Sequence, residues 1–517
     1  MLAEYVKVCS LYGAGFYYIP GTDICLKVGA YFRAEYAWGN QATSLTNLDN
    51  TGPDGQRTRI TGPDYQQRAR AFVFLDSRQQ TAYGTLRAYM NIGWTDDFPN
   101  GQTAGGTSAA GVYANRAFMQ LAGFTWGVAT SYYDFFSSPA TSFSVPWSSD
   151  TGDGGWKVAA YTAQLGNGVS ASFSVEEPRR QDVVNASFND VSTGAFAPGA
   201  PGSATAAAVR SGDPYLVGAL PTPDMGKIVW PDLVGNLRVD QAWGSAQIMG
   251  AIHQVAGGYY GTSLTGAVPN GHPQDKVGFA IGAGIKINFP MIGPGDYFQG
   301  QVNYTEGASR YAMLTPAGNG SPGIFGSPSE IGVGYIADAT YCGTSAVTAG
   351  ATCAAAGFAG PTALQLTTVW GVDAAYEHFW TPALRTSLVG AYNHISYNQN
   401  AEAMMCSAHT LGSGTGAQAS NSIVGNVGGA TFSAFCAANR DAFDWSYWSV
   451  SSRTQWNITK DFYVGLEGYY GHLNTMGRGQ TVNYQQLSGA TQPSGVRTLQ
   501  DQDVFVYRMR VHRDLVP

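Results

Sequence analysis

Residues 277–289 alternate apolar with small or polar side chains without interruption. The odd positions from Val277 to Phe289 are apolar, and the even positions between them are Gly, Ala, Lys and Asn. Successive side chains of a β-strand point to opposite faces, so this strand has one apolar face and one bare or polar face. A strand that separates lipid from water has this pattern, and a strand in a soluble core does not.

The same alternation recurs along the chain. Val169, Ala171 and Phe173 alternate with serines, and Tyr507 and Met509 alternate with arginines. A count of such segments predicts about sixteen strands. They lie near 25–37, 66–78, 83–94, 114–122, 124–133, 156–165, 168–177, 232–241, 244–255, 276–289, 296–305, 366–379, 383–394, 443–457, 461–473 and 501–512.

The connections between these segments alternate between short and long, which gives seven short and eight long connections. A barrel inserted into a membrane from one side has short turns at one end and long loops at the other. The pattern therefore predicts a closed barrel with both termini at the short-turn end. The long connections lie near 38–65, 95–113, 134–155, 178–231, 256–275, 306–365, 395–442 and 474–500.

Composition excludes the common alternatives to a barrel. Charged residues make up only 12% of 517 residues, about half the share of a typical soluble chain. No apolar window of about 18 residues is present, so the chain contains no membrane-spanning helix of the usual kind. We predict an all-β transmembrane antiparallel barrel, with a secreted all-β binding protein as the alternative. The net charge of -7 forms no cluster and indicates no nucleic-acid partner.

Six cysteines indicate an oxidising compartment. They allow many pairings, among which the sequence does not choose. We predict the sequence-local pairs Cys9 with Cys25, Cys342 with Cys353, and Cys406 with Cys436, because each would restrain a segment that is otherwise free to move. The chain begins Met1-Leu2-Ala3-Glu4 without a basic region followed by an apolar one, which is typical of a mature or re-engineered start.

Signals for catalysis are missing from the sequence. The seven histidines have no HExxH spacing, and no GxSxG, P-loop or dinucleotide-binding motif occurs. We therefore predict no enzyme activity, no catalytic residue, no metal site and no cofactor. A hydrolytic barrel and a Ca²⁺ site at Asp150 and Asp153 are the weaker alternatives.

Two motifs resemble one family of outer-membrane proteins. The first runs EYVKVC at 4–9, YGAGFYYIPGT at 12–22 and CLKVG at 25–29, and the second runs PDLVGNL at 231–237 and AWGSA at 242–246. The first is similar to the start of mature alphaproteobacterial (Rhizobiales-type) outer-membrane porins. The similarity continues in order along the chain, whose outer loops are longer.

The resemblance implies a homotrimer of sixteen-stranded barrels, each with a water-filled pore narrowed by an infolded third loop. It implies one porin domain over 1–517, with a periplasmic segment at 1–24 and a constriction loop at 134–155. Its partners would be outer-membrane lipid and lipopolysaccharide, and it would pass small hydrophilic solutes and ions. The predicted function is passive, general diffusion across the outer membrane. A sugar-selective or anion-selective channel of the same fold is the alternative.

Strand parity predicts which charged side chains face the interior. Seven cations fall on the inward face of the first, second, third and last strands, which adjoin in a closed barrel. They are Lys27, Arg33, Arg68, Arg70, Arg87, Arg508 and Arg510. The third long connection carries Asp134, Asp150 and Asp153 and no Lys or Arg. If it folds inward, an acidic loop would face a basic wall. Alternatively, the arginines only hydrogen-bond the loop and each other.

Two further expectations concern the interior. The aromatic run Tyr132, Tyr133, Phe135 and Phe136 opens the third loop and is expected to anchor it to the wall; a sliding surface for sugars is the alternative. The inward glycines at 278, 282 and 284 are expected to leave room for water.

Overall fold

The computed structural model describes residues 7–39, 50–51, 54–55, 65–98, 111–136, 141–146, 155–179, 183–185, 226–260, 271–313, 323–327, 329–343, 357–410, 429–484 and 495–515. Antiparallel strands dominate these residues and form one large sheet. That sheet has 17 strands, of which sixteen form a barrel and the short strand Tyr17–Tyr18 lies at its rim.

The barrel strands are numbered in chain order. They are β1 Cys25–Gly39, β2 Tyr65–Thr81, β3 Gly84–Phe98, β4 Gly111–Leu121, β5 Phe124–Ala129, β6 Trp156–Gly166, β7 Val169–Glu176, β8 Asp232–Gln241, β9 Gly244–Val255, β10 Lys276–Asn288, β11 Tyr297–Glu306, β12 Thr368–Phe379, β13 Leu384–Ser396, β14 Trp445–Thr459, β15 Phe462–Asn474 and β16 Gln502–Leu515.

The sheet closes because β1 pairs with both β2 and β16. Arg33 of β1 lies opposite Arg70 on one side and His512 on the other. Closure leaves no edge strand, so the backbone N–H and C=O groups of the wall are paired within the sheet. The predicted closed barrel of sixteen strands is confirmed.

Seven short turns join the strands at one end, and eight long loops join them at the other, as predicted. The β4–β5 turn shows why the short turns are tight, since Ala122 has a φ of 50° and Gly123 a φ of 88°. Positive φ at both central residues matches the right-handed twist of a two-residue hairpin. The long loops are L1 (40–64), L2 (99–110), L3 (130–155), L4 (177–231), L5 (256–275), L6 (307–367), L7 (397–444) and L8 (475–501).

Large apolar side chains cover the outer face of the barrel. Phe32, Val73 and Phe173 are 52%, 47% and 56% exposed and all point outward. Exposure of this extent would be costly in water but suits contact with hydrocarbon chains. Alternation therefore places the apolar half of each strand outside, as the sequence predicts.

Parts of the long loops form a folded cap over one end of the barrel. A five-stranded sheet combines Asp54–Gly55 of L1, Gly323–Ser327 and Glu330–Val333 of L6, and Thr481–Tyr484 and Gly495–Leu499 of L8. A second small sheet joins L4 and L6 through Val183–Asn185, Ala339–Tyr341 and Gln365–Leu366. Single-turn 3₁₀ helices lie at Ser10–Tyr12 and Ser309–Tyr311, and Asn50–Thr51 pairs with Val145–Pro146. The sequence predicts no regular structure in these loops.

L7 contributes two helices, α1 Gln399–Thr410 and α2 Gly429–Ala438. A disulfide between Cys406 and Cys436 links them, with the two Cα atoms 6.1 Å apart. Among the described residues, no helix is both long enough and apolar enough to cross a membrane.

The cap covers a hydrophobic cluster inside the long-loop end of the barrel. Inward side chains of β12 to β16 supply one half of the cluster, and L6, L7 and L8 supply the other. The strand members include Val369, Ile395, Trp445, Tyr447, Tyr469, Leu473, Val504 and Val506, and the loop members include Met313, Ile331, Tyr335, Met405, Phe443, Met476 and Leu499. This part of the interior is packed protein. The water-filled space is therefore smaller than the expected pore narrowed only by the third loop.

The segment before β1 folds against the short-turn end. Tyr17–Tyr18 pairs with Cys25 and Leu26, and a disulfide joins Cys9 to Cys25 across a Cα separation of 5.9 Å. The two predicted pairs Cys9–Cys25 and Cys406–Cys436 are thus confirmed. Cys342 is also disulfide-bonded, and Cys353 lies outside the described residues.

A buried carboxyl group lies in the first turn of α1. Glu402 is 4% exposed and accepts a hydrogen bond of 3.2 Å from the Phe443 amide. Burial raises the pKa of Glu402 to about 8; the Phe443 hydrogen bond opposes this rise, whereas the charges of Asp444 and Asp441 add to it. The carboxyl is therefore neutral when the cap is closed at neutral pH.

The packing of α1 should weaken as pH rises. Because the folded pKa is above the ordinary value of 4.5, this contribution to stability is complete below pH 4.5 and is lost as pH rises through about 8. Local opening of α1 should increase by up to about tenfold per pH unit within that window. Limited proteolysis of the purified protein across the pH range measures this opening.

Glu402→Gln should remove this pH dependence between about pH 6 and 8, since the amide does not titrate. Below pH 6 the nearby Asp444 still contributes, because burial raises the pKa of Asp444 to about 6. Glu330→Gln, at an exposed position of L6, is the matched control and should behave like the unsubstituted protein at each pH. Equal slopes for the Glu402→Gln variant and the unsubstituted protein would contradict the assignment.

Candidate functional site

L3 enters the barrel directly after β5. Strand β5 ends at Ala129, before the predicted end at 133, because the chain turns inward there. Asn236 of β8 donates a hydrogen bond of 2.6 Å to the Tyr132 carbonyl. Two contacts to β11 follow, from the Tyr133 hydroxyl to Asn303 at 3.1 Å and from the Phe136 amide to Gln301 at 3.0 Å. The first part of L3 therefore lies along the inner face of β8 to β11.

The second described part of L3 lies against the opposite strands. Glu467 of β15 accepts hydrogen bonds from Ser142 Oγ at 3.0 Å, from the Ser144 amide at 3.1 Å and from the Phe143 amide. Arg508 of β16 donates to the Phe143 carbonyl at 2.8 Å. L3 thus crosses the interior from one side to the other. The third loop folds into the barrel, as the resemblance implies.

Glycines in the wall make room for the aromatic side chains of L3. A Cβ atom at Gly284 would lie 2.3 Å from the Phe135 ring, and one at Gly465 would lie 2.5 Å from the Phe143 ring. At Gly282 a Cβ atom would lie 2.1 Å from Asn303 Oδ1 and 3.0 Å from the Tyr133 hydroxyl. The interpretation of these inward glycines as space for water is wrong at Gly282 and Gly284.

Gly278 is also closely covered. A Cβ atom there would lie 2.3 Å from the backbone oxygen of Gly307. The space beside this glycine is taken by the start of L6, so water does not fill it either. The aromatic run of L3 anchors the loop, as expected, because Tyr133 and Phe136 are almost completely buried.

A buried arginine holds the beginning of L3 in place. Arg179 of L4 donates to Asp134 at 3.0 Å, and its guanidinium lies over Trp156 and Tyr311 at 4.6 and 4.4 Å. Burial acts to lower the pKa of Arg179, but the charges of Asp134 and Glu176 raise it above its ordinary value. This guanidinium is therefore a permanent charge that ties L3 to L4 and L6.

The expectation that an acidic L3 faces the basic wall fails at Asp134. That carboxylate is paired with Arg179, beside β6 to β8 and away from β1 to β3. Charge pairing decides its position, since an unpaired carboxylate at this depth would be costly. Asp150 and Asp153 lie outside the described residues.

The seven predicted wall cations all face the interior but fall into two groups. Arg68, Arg508 and Arg510 are 3%, 1% and 5% exposed. Arg510 and Arg68 bracket the buried Glu35 at 2.6 and 3.7 Å. Removing one partner of such a buried pair costs about 3–5 kcal/mol. These three arginines contact Glu35 and L3 and are closed off from water. Their geometry therefore agrees with the alternative that the wall arginines serve a structural role, not with a role in ion selection.

The second group keeps contact with the open part of the interior. Lys27, Arg33 and Arg70 are partly exposed, and the Arg87 side chain is 30% exposed. Arg87 binds Asp76 at 3.0 Å, and Arg33 Nε donates to His512 Nδ1 at 3.3 Å. These four residues lie in the half of the barrel that the cap does not fill.

Several interior residues were missed by sequence reasoning. Arg78 has the same parity as Arg68 and Arg70 on β2 and binds Asp76 at 2.8 Å, so continuing the parity would have found it. Arg116 has the inward parity of Phe118 and Gln120 on β4, so the alternation of that strand would have found it too. Glu467 and Arg179 carried no signal, because their partners are distant in sequence. Alternation predicts that Glu35 faces inward, but it does not predict the pairing of Glu35 with Arg510. Arg238 and Lys286 also face inward, on β8 and β10.

A closed barrel with an apolar exterior, a polar interior and a loop across the lumen defines a membrane-spanning β-barrel of the outer-membrane type. A family model described as "Porin subfamily" matches residues 2–504. The chain therefore belongs to this porin family and is a multi-pass β-barrel of the outer membrane. The resemblance to alphaproteobacterial porins is confirmed.

Curated relatives match over part of their length. Porin Omp2b of Brucella suis is 30% identical over 176 residues, which cover 34% of this chain and 43% of the relative. Porin Omp2a of Brucella ovis is 28% identical over 187 residues, covering 34% of this chain and 50% of the relative. The matched stretch thus spans half or less of these relatives.

One solved structure aligns with most of the chain. In-vitro folded OmpT, an outer membrane protein of Vibrio cholerae, is 7% identical with a TM-score of 0.41, covering 96% of this chain and 99% of OmpT. Because the TM-score is low, the assignment of the barrel rests on the strand pairing and not on this likeness.

Enlarging Gly284 should dislodge L3. A Leu side chain at 284 cannot coexist with the Phe135 ring, and overpacking of this kind costs about 1–3 kcal/mol. Gly284→Leu should therefore raise hydrogen exchange of the L3 amides at 132–136 by roughly tenfold, measured by mass spectrometry of the purified protein.

Gly468→Leu is the matched control for this experiment. Gly468 points outward on β15, and a Cβ atom there meets nothing within 4 Å. Its L3 amides should exchange at the rate of the unsubstituted protein. Unchanged exchange in Gly284→Leu would mean that Phe135 does not hold the loop.

Proposed function

We propose that this chain forms a water-filled channel for passive diffusion of small hydrophilic solutes and ions, with a preference for anions. Membership of the porin family supports a channel rather than an enzyme. The observation that carries the anion preference is the excess of partly exposed cations in the uncapped half of the lumen.

These cations occur on opposite sides of the lumen. Lys27, Arg33, Arg70, Arg78 and Arg87 lie on β1 to β3, and Arg238 and Lys286 lie on β8 and β10. Among the described residues of this half, Asp76, Asp240 and Asp514 offset part of the charge; Asp76 contacts Arg78 and Arg87, Asp240 contacts Arg238, and Asp514 contacts His512. A net positive lumen raises the local concentration of anions and lowers that of cations.

L3 supports the role of this region as the narrow part of the channel. It crosses from β8–β11 to β13–β16 and brings the Phe143 carbonyl to Arg508 and Arg510. Solutes would pass beside β1 to β4, where wall side chains retain solvent contact. We propose that this passage is the constriction and that Lys27, Arg33, Arg70 and Arg87 line it.

The homotrimer and the contacts with outer-membrane lipid and lipopolysaccharide remain proposals. Apolar outward side chains such as Phe32 and Phe173 support contact with lipid or with neighbouring barrels. Light scattering of the detergent-solubilised protein should give a protein mass three times that of the 54.7 kDa chain. A protein mass equal to that of a single chain would exclude the trimer.

Neutralising two lumen cations should weaken anion preference. A unit charge about 7 Å from a passing ion changes its energy by about 0.6 kcal/mol in water. Arg33→Gln with Arg87→Gln should therefore lower the chloride-to-potassium permeability ratio about threefold or more. Reversal potentials in asymmetric KCl across a planar bilayer measure the ratio.

A matched double variant controls for net charge. Lys157→Gln with Arg513→Gln removes two positive charges from exposed positions outside the lumen. This variant should retain the reversal potential of the unsubstituted channel. Equal shifts in both double variants would show that selectivity does not arise at Arg33 and Arg87. Absence of any anion preference in the unsubstituted channel would overturn the proposal.

A further inference from the structure

The inner face of β1 to β4 carries a belt of aromatic rings between two layers of arginine. At the upper margin Arg33 lies opposite Arg70, and at the lower margin Arg78 lies opposite Arg87. The strand positions between these margins hold the rings that form the belt, together with Lys27, Asp76, Asn91 and Arg116. The belt rings are Tyr31, Phe72, Phe74, Tyr89, Tyr113 and Phe118.

The belt rings are in contact from strand to strand. Tyr31 and Phe72 have centroids 5.1 Å apart with planes at 4°, and Phe72 and Tyr113 follow at 5.6 Å. In the lower row, Phe74 and Tyr89 lie 6.2 Å apart, and Tyr89 and Phe118 lie 5.3 Å apart. The rings therefore form a continuous apolar strip across a polar wall.

Two glycines allow the rings to lie along the wall. A Cβ atom at Gly29 would be 2.1 Å from the tip of the Phe74 ring, and one at Gly93 would be 2.3 Å from the Phe72 ring and 2.7 Å from the Tyr113 ring. Each ring thus extends sideways over a neighbouring strand. This arrangement presents ring surface to the lumen, and all belt rings except Phe72 keep partial exposure.

Guanidinium groups lie over the rings at both margins. Arg33 is 5.0 Å from the Tyr31 centroid, and Arg87 is 5.3 Å from the centroids of both Tyr89 and Phe118. Arg70 is 5.8 Å from the Tyr113 centroid. Arginine stacked on a ring directs its N–H groups outward in the guanidinium plane. Arg87 uses these groups on Asp76 and Gln120, whereas the described contact of Arg33 is from Nε to His512. The upper margin at Arg33 therefore combines an aromatic surface with a cation that an anion can reach.

We propose that this belt binds aromatic carboxylates in transit, with the solute ring on the belt and its carboxylate at an arginine margin. The inference rests on the proposed channel function and specifies a solute class for it. Adjacent layers of inward residues are about 7 Å apart along a strand. A monocyclic carboxylate fits this spacing, since its ring can cover Tyr31 while its carboxylate reaches Arg33 by a hydrogen bond.

The two parts of the belt separate this class from others. An inorganic anion or acetate uses the arginines and gains nothing from the rings. An uncharged sugar uses the rings but brings no anion to Arg33. A ligand with both groups gains from both contacts, and ring contacts add about 0.5–1.5 kcal/mol each in general.

Single-channel recording with benzoate and acetate tests the proposal. The two ions have the same charge and differ by the ring. Benzoate added to KCl should block the current of the unsubstituted channel with a dissociation constant roughly tenfold below that of acetate. Tyr31→Leu with Phe74→Leu should raise the benzoate constant roughly tenfold and leave the acetate constant unaltered, whereas Tyr31→Phe should retain benzoate block.

Tyr161→Leu with Phe173→Leu removes the same two residue types from the outer face and should preserve benzoate block. Equal constants for benzoate and acetate, or unchanged benzoate block after loss of Tyr31 and Phe74, would overturn the belt. Block by glucose without block by benzoate would assign the rings to sugars and also overturn it. The KCl reversal potential, read in the same membrane, reports the anion preference separately, so failure of the proposed function is recognisable.

Discussion

The rest of this structure depends on the pairing of backbone hydrogen bonds in a medium that offers none. A strand in hydrocarbon must pair on both sides, and the pairing of β1 with β2 and β16 satisfies that condition. Closure also fixes parity, since a one-residue slip would reverse every side chain between lipid and lumen. The polar half of each strand is therefore held inside, where it is either solvated by water or packed against a loop.

Loops occupy much of the interior, and small wall residues make this possible. L3 brings aromatic rings to Gly284 and Gly465, and the carboxylate of Glu467 accepts hydrogen bonds from the L3 backbone and from Ser142. Burial of these rings takes apolar surface out of water. The L3 backbone groups buried with them would be costly without hydrogen bonds, and Glu467 and Arg508 supply the partners. The same use of glycine at 29 and 93 lets the belt rings lie along the wall.

Local periodicity was sufficient to predict the barrel, because alternation, turn length and strand length are encoded within ten or so residues of each other. The two disulfides within the described residues were likewise predictable from short separations. The charge pairings of Asp134 and Glu35 were not predictable. Their partners, Arg179 and Arg510, are far away in sequence and meet them only after the barrel closes. The loop cap escaped prediction for the same reason, since its strands pair between different loops.

Parity alone does not set the charge of the lumen, because seven inward cations of equal parity divide according to what lies opposite them. Glu35 and the Phe143 carbonyl remove Arg68, Arg508 and Arg510 from the solvent. The remaining cations act on solutes through water, where a field is weak unless several charges add. Carboxylates and loop carbonyls therefore select which arginines determine permeation, and the position of L3 sets the lumen field as much as the arginines do.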